Sequence, residues 1–458
     1  MKRYRLLAAV SILFMFVLLM GCAKQPFVTK KTVVVTESKT VEKKMPAAEV
    51  KPPEITPPDA KKTEVKPAET KPEEAKPADI KAPLPSVVPS AVSVDRNGIG
   101  CILPLTGRFT DAGNKALDAV LLSADIFNQR SPSPWKIIVA DSGETPEKIK
   151  QAVAYLADQA NVMAIVAISG TAEATDAALE AQKRQVPLIL ITSKEGVTEA
   201  GDYVFQHFLT PSQQIEALAR YALDRLNVAI FSVLYPQDDY GEEMVRLFRT
   251  EAKKVGGKVD KAIPYSKTQT DFTVQINKLT GNKIGASEKV YATTEEAKNK
   301  LTVDFEALFI PDSAFRVKMI TSQLAFYNVK GIKLLGTSLW HSPDLLKKGA
   351  DYLEGAVLAD SFFTNGFLPE TNDFVDVYYS AYHREPDNIE ALSYDTMELV
   401  LGVLEDRQIK TRSEFMRALL AVTGFRGVTG SISFRGSRVA QKDAFILKVE
   451  NGKLIQVK

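Results

Sequence analysis

From about residue 98 onward, apolar positions along the chain alternate between two spacings. Short unbroken apolar runs are followed by longer stretches in which apolar residues recur every three or four positions. Ile99-Gly-Cys-Ile-Leu103, Lys136–Ala140, Met163–Ile168 and Pro187–Ile191 are runs of the first kind and predict buried strands. The stretches 111–129, 146–159 and 172–184 predict helices. The first of these spaces Leu117, Val120, Leu121, Ala124 and Phe127 along one helical face, and Pro146 suits a first turn. The pattern then starts again, with helices predicted over 212–226, 242–254, 271–279 and 314–327 and strands over 228–234, 258–264, 307–310 and 331–336. The tail predicts a strand at 356–359, helices at 372–383, 388–404 and 412–420, and closing antiparallel strands at 431–434 and 444–449. Strands alternating with helices predict parallel βαβ units, and two successive halves of this kind predict an α/β protein of two lobes. A polar stretch with eight charged residues, 281–304, interrupts the second half and reads as a surface insertion.

The first 97 residues follow neither spacing. Lys2, Arg3 and Arg5 precede an apolar run from Leu6 to Met20, then Gly21 and Cys22. The run is shorter than the roughly 20 residues of a spanning helix and has the order of a secretion signal. Leu19-Met20-Gly21-Cys22 resembles the lipobox of bacterial lipoproteins. The resemblance implies that residues 1–21 are a signal peptide and that the Cys22 thiol is acylated, two or more acyl chains giving a stable membrane anchor. Ala23, not an Asp, follows the cysteine. In a cell with two membranes this implies delivery to the outer one, with the protein facing the periplasm.

Between Ala23 and Val94 lie 12 of the 24 prolines and none of the 25 glycines, with 13 lysines against 10 acids and Phe27 as the one aromatic. Such a segment cannot bury enough apolar surface to offset its ordering entropy, so residues 22–97 are expected to form a disordered tether. At ~3.1 Å per residue its proline-rich backbone reaches at most about 220 Å.

Charge and chemistry narrow the function classes. The net charge is +2, and since signal and tether are both basic, the folded body is mildly acidic, which excludes nucleic acid as an expected partner. Three histidines (His207, His341, His383) and two cysteines (Cys22, Cys101) are too scattered for a zinc site or a disulfide framework. No GxSxG, HExxH, Walker or GxGxxG pattern occurs, so no catalytic residue, metal or cofactor is expected and the chain does not read as an enzyme. Cys101, between apolar neighbours, is expected to be an inert core thiol.

Ile99-Gly-Cys-Ile-Leu-Pro-Leu-Thr-Gly107 with Gly113, then Val186-Pro-Leu-Ile189, Asp239-Tyr-Gly241, Thr270-Asp-Phe272 and Gly331–Gly336 come in an order that resembles the leucine/branched-chain amino-acid-binding family. The resemblance covers residues 98–458. It implies a type I periplasmic-binding fold, with two α/β lobes joined by three crossovers and ligand in the cleft between them. By that analogy one lobe is 98–209 with 360–434 and the other 210–359 with 435–458.

The physics of parallel sheets points to the same places, because backbone N–H groups and helix N-termini face outward beyond the carboxyl ends of the strands. Ser169-Gly170-Thr171 follows the strand ending at Ile168. Gly170 permits close backbone approach, and Thr171 suits either a plain helix cap or a cap that also meets a ligand carboxylate. Thr192 and Ser193 occupy the next strand end, where the family carries a hydroxyl-bearing ligand loop, and Tyr240 stands where the family places an aromatic that closes over ligand. Two positions depart from the family. Asp312 falls where a tyrosine is expected, and Ser338 falls where an acid pairs with the ligand ammonium. A buried ammonium without a partner is costly, so either Asp312 supplies one or a free amino acid is the wrong ligand.

The resemblance implies a lipid-anchored protein that binds a small polar, amino-acid-like solute for an ABC permease or for sensing. A second resemblance competes with it. Leu103-Pro-Leu-Thr-Gly-Arg108 and Leu335-Gly-Thr-Ser-Leu-Trp340 are similar to stretches of penicillin-binding-protein activators, outer-membrane lipoproteins that act by contact with a peptidoglycan synthase. The long tether and the altered ammonium site suit that alternative.

Overall fold

Runs that are apolar throughout become parallel strands covered on both faces, as expected when crossover helices flank a sheet. The computed structural model describes residues 93–128, 130–143, 145–281, 303–347 and 350–457. The secretion signal, Cys22, the tether up to residue 92 and insertion residues 282–302 lie outside the described residues.

The first half of the chain gives β1 (Asp95–Leu103), α1 (Thr110–Ser123), β2 (Lys136–Asp141), α2 (Pro146–Ala154), β3 (Val162–Ile168), α3 (Ala174–Lys183), β4 (Leu188–Ile191) and β5 (Val204–Gln206). These strands form one parallel sheet in the order β2-β1-β3-β4-β5. The second half gives α4 (Pro211–Leu226), β6 (Ile230–Pro236), α5 (Asp239–Lys254), β7 (Lys258–Tyr265), α6 (Thr273–Thr280), β8 (Ala307–Phe309), α7 (Ala314–Phe326), β9 (Lys333–Gly336) and β10 (Val357–Asp360). The chain then runs through α8 (Pro369–Tyr382), α9 (Asn388–Leu404), α10 (Arg412–Leu420), β11 (Phe425–Gly427), β12 (Gly430–Ser433), β13 (Gln441–Lys442), β14 (Phe445–Glu450) and β15 (Lys453–Val457). The second sheet has the order β15-β14-β10-β9-β8-β6-β7, with β14 antiparallel to both its neighbours, and β11-β12-β13 make a small third sheet.

Helix starts follow local chemistry. Thr210 with Gln213, Asp387 with Glu390 and Thr411 with Glu414 form reciprocal capping boxes for α4, α9 and α10. Glycines set how closely α1 and α5 dock on the strands before them. A Cβ at Gly113 would lie 2.1 Å from the Pro104 carbonyl oxygen, and one at Gly241 would lie 1.9 Å from that of Pro236. Both helices therefore begin against the carboxyl end of a strand, one in each lobe.

The chain passes between the two sheets three times: after β5, after β10 and after β13. Helices α9 and α10 return to the first sheet, where Leu392, Val400, Phe415 and Phe434 share a core with Ile99, Cys101 and Phe205. Cys101 is fully buried there, and burial pushes its thiol up to about 12. The last passage falls later than the position expected at 435. Gln206 pairs with Val439, and Ala440 N–H donates to the Gln206 carbonyl, so residues 438–440 still run beside the first sheet, while Gln441 and Lys442 pair with β12 in the third.

A buried polar array joins the first and third passages. The Asp395 carboxylate accepts the N–H groups of Val428 and Thr429 at 2.7 and 2.8 Å and the Thr429 hydroxyl. Lys442 Nζ donates to the Thr429 hydroxyl and lies 2.9 Å from His207 Nε2. An ammonium can only donate, so His207 accepts at Nε2 and its Nδ1–H donates to the Thr396 hydroxyl at 2.7 Å. Burial and the neighbouring Lys442 charge hold His207 well below the usual imidazole range, in agreement with that tautomer. Burial lowers Lys442 to about 8 and raises Asp395. Within this array His207 has a structural part, its two ring nitrogens bonded to Thr396 and Lys442.

Candidate functional site

The carboxyl ends of the two parallel sheets carry the sequence-predicted site residues, and the structure divides them into three groups. Ser169 and Gly170 follow β3 and line a recess of about 210 Å³ within the first lobe, with Phe109, Ile149 and Ile168 as its apolar wall. Thr171, Ser193, Tyr240 and Ser338 line a larger cavity of about 680 Å³ that draws on both lobes. Thr192 and Asp312 line neither of these two cavities.

The first-lobe loops are occupied with themselves. Ser169 Oγ donates to the Gly170 carbonyl at 3.0 Å. The expected cap at Thr171 is not made. Residues 171–173 form an intervening turn, α3 starts at Ala174, and Glu173 stands at the N-cap with no side-chain hydrogen bond. The Glu173 carboxylate instead lies over Gly170, where a Cβ would meet its Oε2 at 2.9 Å. Thr192 is buried; its hydroxyl accepts the Lys194 N–H at 3.3 Å and its carbonyl accepts Gln206 Nε2 at 2.7 Å. Its expected place on the ligand loop is thus taken by internal bonds, and Ser193 alone of that pair reaches the cavity.

The second-lobe side is more open. Asp238 caps α5 by accepting the Gly241 N–H at 2.7 Å, which sets Tyr240 in the first turn with 39% of its surface exposed. Burial at the hydroxyl end, with the Asp312 and Asp238 charges nearby, pushes the phenol up to about 12. The Thr337 hydroxyl, 3% exposed and on the cavity wall, is approached by the Tyr240 hydroxyl but completes no hydrogen bond. Ser338 opens the 3₁₀ turn Ser338–Trp340, and its N–H donates to Gln214 Oε1 at 3.1 Å. Trp340 is buried, donates Nε1–H to the Ile310 carbonyl at 3.0 Å, and packs so tightly on Gly336 that a Cβ there would lie 2.1 Å from the indole.

Asp312 is not available to the cavity as the resemblance required. Its carboxylate accepts the Tyr265 hydroxyl, the Ser313 N–H at 2.6 Å and the Ser313 hydroxyl at 3.1 Å. Together with burial, the carboxylate raises the Tyr265 phenol far above its ordinary value.

Sequence reasoning missed Lys194, Glu195, Asp239 and Glu243 on the cavity wall, and the apolar floor of Phe208, Met244, Leu247 and Leu339. Lys194 and Glu195 directly follow Ser193, and Glu243 lies one helical turn beyond Tyr240, so helix geometry carried the signal. Glu195 accepts the Ser212 N–H at 2.9 Å, and Glu243 is paired with Arg246 at 2.7 Å, which lowers its carboxyl. Asp239 is exposed. Among the described residues no cluster of three or more His, Cys, Asp or Glu is arranged to hold a metal ion, and no helix is long and apolar enough to cross a membrane.

Comparison with known proteins adds to this geometry. The model of the family described as periplasmic binding protein matches residues 98–453. Among solved structures, a branched-chain amino acid ABC transporter protein from Rhodospirillum rubrum is 21% identical, with 79% of this chain and 99% of that chain covered and a TM-score of 0.67. The substrate-binding protein LivJ from Streptococcus pneumoniae, in complex with isoleucine, is also 21% identical, with the same coverages and a TM-score of 0.59. A solute-binding protein from Rhodopseudomonas palustris, in complex with 3,4-dihydroxy benzoic acid, is 21% identical over 79% of this chain and 96% of that chain, with a TM-score of 0.59. No curated protein sequence matches.

Proposed function

The chain belongs to the periplasmic binding protein family and has its type I fold, and from that premise we propose that it captures a small organic acid between its lobes. The observation that carries this reading is the cavity of about 680 Å³ walled by Thr171, Ser193 and Lys194 on one side and Tyr240, Thr337 and Ser338 on the other. Its volume lies within the roughly 300–1,000 Å³ usual for small-molecule sites, and the unpartnered Thr337 hydroxyl gives it a polar anchor. A carboxylate fits better than a free amino acid. Ser338 offers no charge for an ammonium, Asp312, Glu195 and Glu243 are already bonded, and Asp239 is solvated at the rim. Lys194 supplies a cation for an anionic group, and Phe208, Met244, Leu247 and Leu339 suit an apolar body. The bound 3,4-dihydroxy benzoic acid of the Rhodopseudomonas neighbour is a compound of this class.

On this reading the protein works outside the cytoplasm. Cys22 holds it to a membrane by lipid, the segment before β1 serves as the tether, which ends short of the expected residue 97 because Asp95 already pairs with Val162, and an ABC permease or a sensor receives the solute. A second reading keeps the same anchor but makes the partner a peptidoglycan synthase, activated by contact. It is favoured by the inward-turned first-lobe loops, where Thr192 and Glu173 fill positions that a ligand would need.

A thermal-shift panel of 3,4-dihydroxybenzoate, benzoate, isoleucine and soluble peptidoglycan fragments separates the two. A ligand at 100 times its Kd adds about 2.7 kcal/mol of stability. The aromatic acids are expected to raise the melting temperature, and Tyr240→Ala to abolish the rise. A shift with isoleucine alone would overturn the ligand class. Silence across the panel would overturn solute capture and favour the synthase partner.

A further inference from the structure

Each of His207 and His341 stands beside a passage between the lobes, and their surroundings shift the two imidazoles in opposite directions. His207 is neutral in the buried array described above. His341, 30% exposed along its side chain, places Nδ1 2.5 Å from Asp360 Oδ2. Asp360 is the last residue of β10 and is 1% exposed. Its other oxygen accepts Asn388 Nδ2–H at 3.0 Å and the Ser361 N–H at 2.6 Å. Asn388 opens α9, which packs on the first sheet, and the Ser361 hydroxyl donates to Asn388 Oδ1 at 2.6 Å. Asp360, itself part of the second lobe, therefore holds His341 within that lobe and reaches across the second passage to Asn388 of the first.

The second-lobe grip leads directly to the cavity. The 3₁₀ turn Ser338–Trp340 has its first residue on the cavity wall and His341 immediately after its last. The His341 N–H closes the turn on the Ser338 carbonyl at 2.9 Å. Trp340, wedged over Gly336 and bonded to Ile310, stops the turn from pivoting independently. A displacement of His341 must therefore carry Ser338 with it.

We infer that the His341–Asp360 pair, made within the second lobe, orients the carboxylate that crosses the second passage to Asn388, and so acts as a latch on the spacing of the lobes and on the presentation of Thr337 and Ser338, with His341 a positioning residue for the cleft. The charged groups facing the imidazole are Asp360 from β10 and Asp387 from the cap of α9, the latter paired with Lys115 at 3.1 Å; the Phe363 ring lies 5.9 Å away. Burial opposes the imidazolium, but Asp360 and Asp387 outweigh it and raise His341 above its ordinary value. The latch is accordingly strongest below the unfolded imidazole value of about 6.5 and weakens as pH rises through the higher folded value, where a neutral Nδ1–H bond replaces the ion pair. This inference shares the cleft with the proposed function but does not need a solute, so each can fail without the other.

The test is the distance between lobes, measured by paired spin labels in the full chain carrying Gln151→Cys on α2, Thr250→Cys on α5 and Cys22→Ser, the buried Cys101 staying unlabelled. Spectra are taken at about pH 6 and about pH 9, which bracket a raised histidine. The wild type is expected to give a narrow distribution at the lower pH and a broader, shifted one at the higher. His341→Gln should give the broad distribution at both, and so should Asp360→Asn, which keeps the side-chain shape. Lys442, at about 8, titrates in the same window, so the contrast between wild type and His341→Gln is the reading that counts. If wild type and His341→Gln change alike, or the wild type does not change, the latch is overturned. A pH-dependent distance lost in His341→Gln would sustain it even if no compound in the thermal panel binds.

Discussion

The two lobes begin alike and end differently. In each, a proline follows the core of a strand and a glycine in the next helix lets that helix dock on the proline carbonyl: Pro104 with Gly113, and Pro236 with Gly241. Beyond that shared corner, the first lobe binds its cleft-side Thr192 to the Lys194 amide and links Asp395, Thr429, Lys442 and His207 in one array, although Gln206 Oε1 and Ser393 Oγ deeper in that lobe lack partners. The second lobe leaves the Thr337 hydroxyl unpartnered and Tyr240 half-open at the same cleft. The difference teaches that a common docking corner can support a finished platform on one side and a receptive edge on the other.

Breaking the platform should produce the largest effect. Asp395→Ala leaves Lys442 buried without its counter-charge and is expected to cost about 3–5 kcal/mol, read from the urea midpoint. Pairing Asp395→Leu with Lys442→Met should recover most of that loss, because replacing a buried pair by apolar groups is far cheaper than orphaning one member. A double variant as unstable as the single one would mean that the array is needed for packing rather than for charge.

The shared corner is tested next. Gly113→Ala and Gly241→Ala each drive a methyl into a backbone carbonyl and should destabilise by about 1–3 kcal/mol, of similar size in the two lobes. A large loss in one and none in the other would break the equivalence of the corners. The smallest effect is expected at the receptive edge. Thr337→Val removes a buried hydroxyl that has no partner, so stability should hold or rise by up to about 1 kcal/mol. The same change should weaken binding of an aromatic acid, and a stability loss would mean that the hydroxyl is already satisfied.

Much of the fold was legible because its signals are local. Helices 388–404 and 412–420 were predicted to the residue, each opening with its own cap and acid three positions on. The three-residue β5 and the two-residue β13 were not, since strands this short carry no period and are defined by their pairing with β4 and with β12. For the candidate site, Thr171 and Ser193 were named from strand ends and Tyr240 and Ser338 from the family resemblance, and all four line the larger cavity. The disengagement of Asp312 depends on Tyr265, 47 residues earlier, and His341 meets Asp360 19 residues later. Pairings of that separation are written in the topology rather than in any motif.

That topology has a consequence for how the polypeptide is made. The first sheet's core needs Leu392 and Phe434, and the second sheet needs β14 between β10 and β15. Neither lobe can finish folding until nearly the last residues have left the ribosome, whereas chains usually fold N-terminal domain first. A chain wired in this way cannot complete either core until the segments after β10 have been made, so each lobe waits on residues far along the sequence.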